Sequence, residues 1–133
     1  MITIAEYFGK WEIQKTPQFI TSAEGLLFRV NRLLLAAVND GVMLKKNPRT
    51  GSYVSGEQYG GFRPAECTIG AARSAHKQAL AVDVYDPKNA LDEWLTDARL
   101  EEHELYREHP DDTFGWCHLS TKAPGSGRRT FKP

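Results

Sequence analysis

The chain has little cysteine, no long apolar run and no excess of either charge. Cys67 and Cys117 are its only cysteines, too few for a disulfide-built scaffold, and their spacing is not that of a zinc ribbon. The longest apolar run, Leu33 to Val38, falls far short of the ~20 residues that cross a bilayer. No basic start followed by an apolar segment resembles a signal peptide. These features predict a soluble product made in the cytoplasm, without membrane insertion. Seventeen basic residues balance seventeen acidic ones, so no global field draws the protein to nucleic acid. The basic residues Lys45, Lys46, Arg49, Arg128 and Arg129 are scattered and lack interleaved aromatics, which argues against a nucleic-acid partner.

What is present fits one compact domain. The 133 residues, 41% hydrophobic and 26% charged, suit a single core of ordinary globular composition. We expect one domain over residues 1–133, acting as a monomer. Residues 1–20 mix Tyr7, Phe8, Trp11 and Phe19 with polar residues and read as an N-terminal arm packed on the domain. From residue 21 to 41 the apolar positions Leu26, Leu27, Val30, Leu33, Leu34, Ala37 and Val38 recur at helical spacing. Thr21 with Glu24 fits a capping box, and Asp40-Gly41 fits the helix end. Residues 45–61 are rich in turn chemistry, including Gly60-Gly61, with a short strand around Tyr53 and Val54. Ala81–Tyr85 reads as a buried strand, Ala90–Leu100 as a helix with Leu91, Trp94, Leu95 and Ala98 inward, and Leu105–Arg107 and Trp116–Ser120 as further strands. The tail after Thr121 reads as irregular. This mixture predicts an α+β domain with a small, mainly antiparallel sheet flanked by helices.

Chemistry concentrates at a few positions. Asp83 interrupts an otherwise apolar strand, and a carboxylate there needs a metal or hydrogen bonds to compensate its burial. His76 lies seven positions earlier. On one continuous helix the two would stand roughly 10 Å apart along the axis, so a shared ion requires the chain to turn back, with the small Ala79 and Ala81 permitting a tight approach. His118, in Gly115-Trp116-Cys117-His118-Leu119, would supply a third ligand from a neighbouring strand. Two histidines and one carboxylate with an open position form the catalytic type of zinc site. Spacing alone leaves the other reading open, in which Asp83 caps a turn and His118 is a satisfied core histidine.

Ser74-Ala75-His76-Lys77-Gln78-Ala79-Leu80-Ala81-Val82-Asp83 resembles the Ser-x-His-x-x-Gly-x-Ala-x-Asp signature of the D-alanyl-D-alanine carboxypeptidase and endopeptidase family of zinc peptidases, which shares its fold with the hedgehog signalling domain. Gly61-Phe62-Arg63-Pro64 resembles that family's Ser-Gly-Tyr-Arg-Pro segment, and Trp116-Cys117-His118 resembles its closing Trp-x-His. The three elements follow the family's order across residues 55–121, and the ending through Gly125-Ser126-Gly127-Arg128-Arg129 is similar to small phage- or prophage-encoded members. The resemblance implies zinc held by His76, Asp83 and His118, with Arg63 directed at a substrate carbonyl or carboxylate; Ser74 either binds substrate by hydrogen bonding near the site or caps the loop. It implies a hydrolase cutting amide bonds of peptidoglycan stem peptides or cross-links, acting at the bacterial cell wall.

Two departures from the pattern stand out. The glycine between the first two ligands is Ala79 here, where a positive φ would be strained. Where many members carry an acid or histidine shortly before the last ligand, this chain has Gly115 and Trp116. The general base must then come from elsewhere. Asp112 is the first candidate, with Asp111, His109 and Glu108 close by in sequence. Without a base, the chain would be a non-catalytic zinc-stabilised structural or wall-binding module of the same fold. Cys67 and Cys117 flank the site in sequence and can pair, stay reduced or lend a thiolate.

Overall fold

The computed structural model describes residues 1–71 and 73–133. Its longest element is helix α2, Pro17–Asn39, preceded by the short helix α1, Ile4–Phe8, and a 3-10 segment, Gly9–Gln14. Strand β1 (Ala81–Tyr85) leads into helices α3 (Ala90–Trp94) and α4 (Asp97–Glu102), then β2 (Tyr106–Glu108), β3 (Trp116–Ser120) and β4 (Thr130–Phe131). The α+β class is as expected. The four strands lie in the order β1-β3-β2-β4. β3 pairs antiparallel with both β1 and β2, whereas β4 pairs parallel with β2. The sheet is therefore mixed, because the tail read as irregular returns alongside β2 after a turn-rich segment. No described helix is long and apolar enough to cross a membrane.

Helix α2 begins earlier than its apolar stripe suggests. Thr16 is the N-cap, its hydroxyl accepting from the Phe19 N–H at 3.2 Å, and Pro17 occupies the first helical position, where its fixed φ and missing N–H cost nothing. Thr21 is one turn inside, donating its hydroxyl to the Pro17 carbonyl. The helix ends as expected, with Gly41 at φ +96°. Leu26, Leu27, Val30, Leu33, Leu34 and Ala37 are buried as one stripe, while Val38 is exposed. The N-terminal segment packs on the domain, and its first part is a helix rather than an irregular arm. A capping box between Thr3 and Glu6 starts α1, and Tyr7 and Phe8 are among the most buried side chains of the core.

The expected helix over 90–100 is broken in two. Leu95 is extended, and Thr96 caps α4 by accepting from the Arg99 N–H, the side-chain competition that makes threonine a helix starter. The break turns Ala98 outward and brings Leu100 into the core beside Leu91 and Leu95.

The sheet has two unlike faces. Val82, Val84, Cys117 and Leu119 point into the hydrophobic core with the α2 stripe. The alternate residues Asp83, Trp116 and His118 line the other side, as the two-residue period of a strand requires. Under the core face Arg107 donates to the carbonyl of Asp92 at 2.8 Å and to its carboxylate at 3.3 Å. Burial raises the Asp92 pKa despite this pairing. Cys117 faces the same network, and burial followed by the Asp92 charge pushes its thiol well up. Both cysteines are free.

The position of the cap is testable by urea unfolding. Thr16→Ala should cost about 1 kcal/mol of stability, the usual loss for a threonine N-cap, and Thr21→Ala clearly less. Equal losses would contradict the observed start of α2.

Candidate metal centre

Three ligand atoms converge on the open face of the sheet. His76, Asp83 and His118 each present one donor, and these atoms lie within 4.8 Å of one another. His118 Nδ1 is 2.9 Å from Asp83 Oδ1, and His76 Nε2 is 3.3 Å from the same oxygen. Ligands bound tetrahedrally at zinc distances stand about 3.3 Å apart, and both separations from Asp83 Oδ1 are already close to that. His76 is almost fully buried, and its Nε2 has no hydrogen-bond partner. Its other nitrogen, Nδ1, is 2.8 Å from the Gly61 carbonyl. A carbonyl only accepts, so Nδ1 carries a proton; the neutral ring that a metal requires would point its Nε2 lone pair into the cluster, while the protonated ring sets a positive charge 3.3 Å from Asp83. An orphaned buried nitrogen aimed at a carboxylate and a second imidazole is what a metal ligand looks like before its ion is considered.

Local structure explains how residues seven apart meet. Ser74 accepts from the His76 N–H and starts a 3-10 turn, Ala75–Gln78. Ala79 then adopts the left-handed conformation, φ +58° and ψ +35°, and sends the chain back into β1. This is the strained alanine expected where the resembled motif has glycine, and the conformation costs roughly 1–2 kcal/mol for a residue with a Cβ. The β1–β3 register sets Asp83 opposite His118.

The two glycines before Phe62 do more than turn the chain. The Gly60 carbonyl accepts from the Asp83 N–H at 2.7 Å, and the adjacent Gly61 carbonyl accepts from His76. A Cβ on Gly61 would lie 2.0 Å from the Tyr7 carbonyl oxygen, and one on Gly60 would lie 2.6 Å from the Gly56 nitrogen. Only glycine permits this approach. Tyr7 completes the clamp: its carbonyl accepts from the Phe62 N–H and its hydroxyl donates to the Ala81 carbonyl at 2.9 Å. Burial, followed by the nearby Asp83 charge, raises the Tyr7 phenol far above its ordinary value, so it stays a neutral donor. The sequence marked Gly60-Gly61 as turn-forming. It held no sign that both carbonyls would orient ligands.

Burial by itself would raise the Asp83 pKa, but the charge of His76 and the hydrogen bond from His118 overcome it, and the net shift is downward. The carboxylate is thus ionised throughout the neutral range. Its Oδ2 also receives the Arg63 guanidinium at 3.3 Å. Arg63 donates further to the Tyr59 carbonyl through Nε and to the Ile69 carbonyl through Nη1. It lies at the site as the motif implied, and three of its five N–H groups are engaged.

Above the ligands opens a cavity of ≈ 550 Å³, lined by the trio with Arg63, Ser74 and Glu108 among others. Ser74 therefore both caps the turn and faces the cavity. Glu108 is placed by the sheet. Tyr106 pairs with Ser120 and Arg107 with Leu119, and one further step sets Glu108 opposite His118. Asp83, His118, Glu108 and, in parallel pairing, Phe131 form one row across the four strands. Directly opposed residues stand about 5 Å apart at Cβ. The Glu108 carboxylate has no side-chain hydrogen bond or ion pair among the described residues, and burial leads the effects that raise its pKa. Asp112 is elsewhere: its carboxylate pairs with Lys132 at 3.4 Å, and it is not among the residues lining the cavity. Asp111 is exposed beside His109 and Lys132. The strand β2 was legible in the sequence, but its register was not, so Glu108 ranked below Asp112.

Metal binding gives the first check on this geometry. His76→Ala and His118→Ala should each abolish binding of one divalent ion per chain, measured by elemental analysis. Gly61→Ala, whose Cβ would meet the Tyr7 carbonyl and displace the Gly61 carbonyl from His76, should weaken it by about 10–100-fold in a chelator competition, the usual cost of disturbing the group that orients a ligand. Unchanged affinity in Gly61→Ala would show that the carbonyl does not set the histidine.

No protein-family model, curated protein or solved structure matches this chain.

Proposed function

We propose that the protein is a zinc-dependent peptidase hydrolysing amide bonds in peptidoglycan stem peptides or their cross-links, of the type encoded by phages and prophages. The observation that carries this reading is the unpartnered Glu108 carboxylate in one sheet row with the Asp83 and His118 ligands, at a cavity open to solvent. Two histidines and a carboxylate suit Fe(II) as well as zinc. The presence of a free carboxylate favours hydrolysis, which needs a proton acceptor, over redox chemistry, which does not. When bound, zinc would polarise the scissile carbonyl and make water nucleophilic at neutral pH.

The remaining work falls to the chain. Glu108 takes a proton from the attacking water and returns it to the leaving amine, with a pKa raised by burial toward the working pH. Arg63 turns its uncommitted N–H groups toward the carbonyl oxygen as negative charge develops there. Asp83 fixes that guanidinium while serving as a ligand, which couples the electrophilic group to the metal position. Trp116, two residues before His118 on the same strand, lines the cavity and offers an apolar wall to the peptide.

The experiment is hydrolysis of purified peptidoglycan by the zinc-loaded protein, with released peptides identified by mass. Glu108→Gln should lower turnover about 100-fold or more, as for loss of a positioned base, with zinc content unchanged. Asp112→Asn should leave turnover near wild type. Full zinc occupancy without released peptide would leave the non-catalytic wall-binding module in its place.

A further inference from the structure

Beyond Arg63 and Asp83 the site opens into a second cavity of ≈ 510 Å³, within the size range of small-ligand pockets. It shares Arg63, Asp83 and Trp116 with the cavity over the ligands. Its outer side is formed by the turn-rich stretch 47–60, whose backbone is firmly held. Asn47 is buried; it accepts from the Arg49 N–H through Oδ1 at 3.0 Å and donates to the Ser55 carbonyl through Nδ2 at 2.6 Å. The Trp11 indole N–H donates to the Gln58 carbonyl at 2.7 Å. The side chains carried by this backbone stay unspent. Among the described residues, those of Arg49, Ser55, Glu57, Gln58 and Tyr59 make no hydrogen bond or ion pair. Uncommitted polar groups on a fixed frame suit a ligand rich in hydrogen-bonding groups.

An extended peptide is poorly matched to this cavity. Strand addition draws its affinity from an open sheet edge, and the outer edge of β1 is closed. The Ser55 N–H donates to the Asp83 carbonyl, the Asp83 N–H to the Gly60 carbonyl and the Tyr85 N–H to the Tyr53 carbonyl. Charge narrows the ligand further. Arg49 and Glu57 balance in sign, and Arg63 is paired with Asp83 at 3.3 Å, so the lining as a whole favours neither an anion nor a cation. What fits is a neutral molecule with many hydroxyl or amide groups and an apolar side to set against the aromatic rings of Trp116 and Tyr59. A pyranose has that form, with hydroxyls around its rim and C–H groups on its faces. Trp and Tyr, each an apolar ring with a polar tip, match it.

We propose that the second cavity binds an N-acetylated sugar unit of the peptidoglycan strand. Trp116 and Tyr59 lie against the ring face, and Arg49, Glu57 and Gln58 take its hydroxyl and acetamido groups. Acetylation is what keeps an amino sugar neutral. The saccharide class follows from the cavity; its identity as peptidoglycan rests on the peptidase reading above. The sugar then sits beside the peptide, with Trp116 at the junction of the two.

Three ligands test this by NMR titration of the zinc-loaded protein: the N-acetylglucosamine trimer, its deacetylated cationic counterpart, and a sugar-free stem pentapeptide. The acetylated trimer should give saturable shifts at the amides of 55–59 and at the Trp116 indole N–H. The deacetylated trimer should bind about 5-fold more weakly or worse, and the pentapeptide should leave 55–59 unmoved. Arg49 and Gln58 are exposed, so Arg49→Ala and Gln58→Ala carry little risk to folding. Each should weaken the acetylated trimer about 3–10-fold, as for loss of one or two hydrogen bonds, with zinc content unchanged. In hydrolysis, a stem peptide carrying its disaccharide should exceed the sugar-free peptide in kcat/KM by about 10-fold, and Gln58→Ala should narrow that gap through KM. Absence of saturable shifts with the acetylated trimer, equal binding of the deacetylated one, or shifts of 55–59 by the pentapeptide would each overturn the sugar site and leave the peptidase reading standing. Saturable trimer binding at 55–59 without cleavage of any peptide or of peptidoglycan would overturn the peptidase reading and support the sugar site.

Discussion

The charge on Asp83 is the constraint around which the rest is arranged. It stands 6% exposed in the middle of a strand whose neighbours Val82 and Val84 are core. A carboxylate in that position would be strongly destabilising without compensation. The compensation comes from three directions at once: His76 from a tight turn, His118 from the adjacent strand, and Arg63 from the segment after the diglycine. Each of these has its own anchor, in the Gly61 carbonyl, the β1–β3 ladder and the Tyr59 carbonyl respectively. The result is a buried polar cluster in which the fully buried His76 Nε2 has no hydrogen bond and points inward. Such a cluster is costly if half complete and rigid when complete, which is what a site must be to hold an ion in fixed geometry.

The sheet turns this local problem into a cavity. Alternation along β3 sends Cys117 and Leu119 into the core and Trp116 and His118 to the open side, so one strand both belongs to the hydrophobic layer under α2 and furnishes the floor of the site. Register does the rest by setting ligand, ligand and free carboxylate in a single row. The parallel return of β4 adds Phe131 at the end of that row, where its ring meets His118 edge-on at 6.1 Å. The catalytic reading thus depends less on any one residue than on three strand pairings holding their alignment.

Much of this was legible in the sequence, and the limits have physical causes. The strands β1 and β3 announced themselves through apolar runs with one ionisable residue out of place. The α2 stripe followed from its period. Asp83 stood out as an anomaly that demanded partners, but spacing left them open, and it was the family resemblance that pointed to His76 and His118, which the structure brings beside it. Three things were not legible. The start of α2 lies outside its apolar stripe, at a threonine and proline that carry no periodic signal. The N-terminal segment has no period because α1 is a single turn and a half, yet Tyr7 and Phe8 are central to the core. That Glu108 lines the cavity and Asp112 does not follows from strand register, a tertiary property that no local pattern encodes.

The diglycine has a consequence for how such a protein can be altered. Because no side chain fits at Gly60 or Gly61, that stretch of the cleft wall is bare backbone and offers no handle for changing what the protein recognises. Chemical variety has to be supplied by the exposed loop positions 57–59 immediately before it and by the loop 122–125 that lines the cavity over the ligands. A library built to retarget the cleft would randomise those two loops and leave the glycine pair alone, separating the part of the molecule that can explore from the part that must stay still.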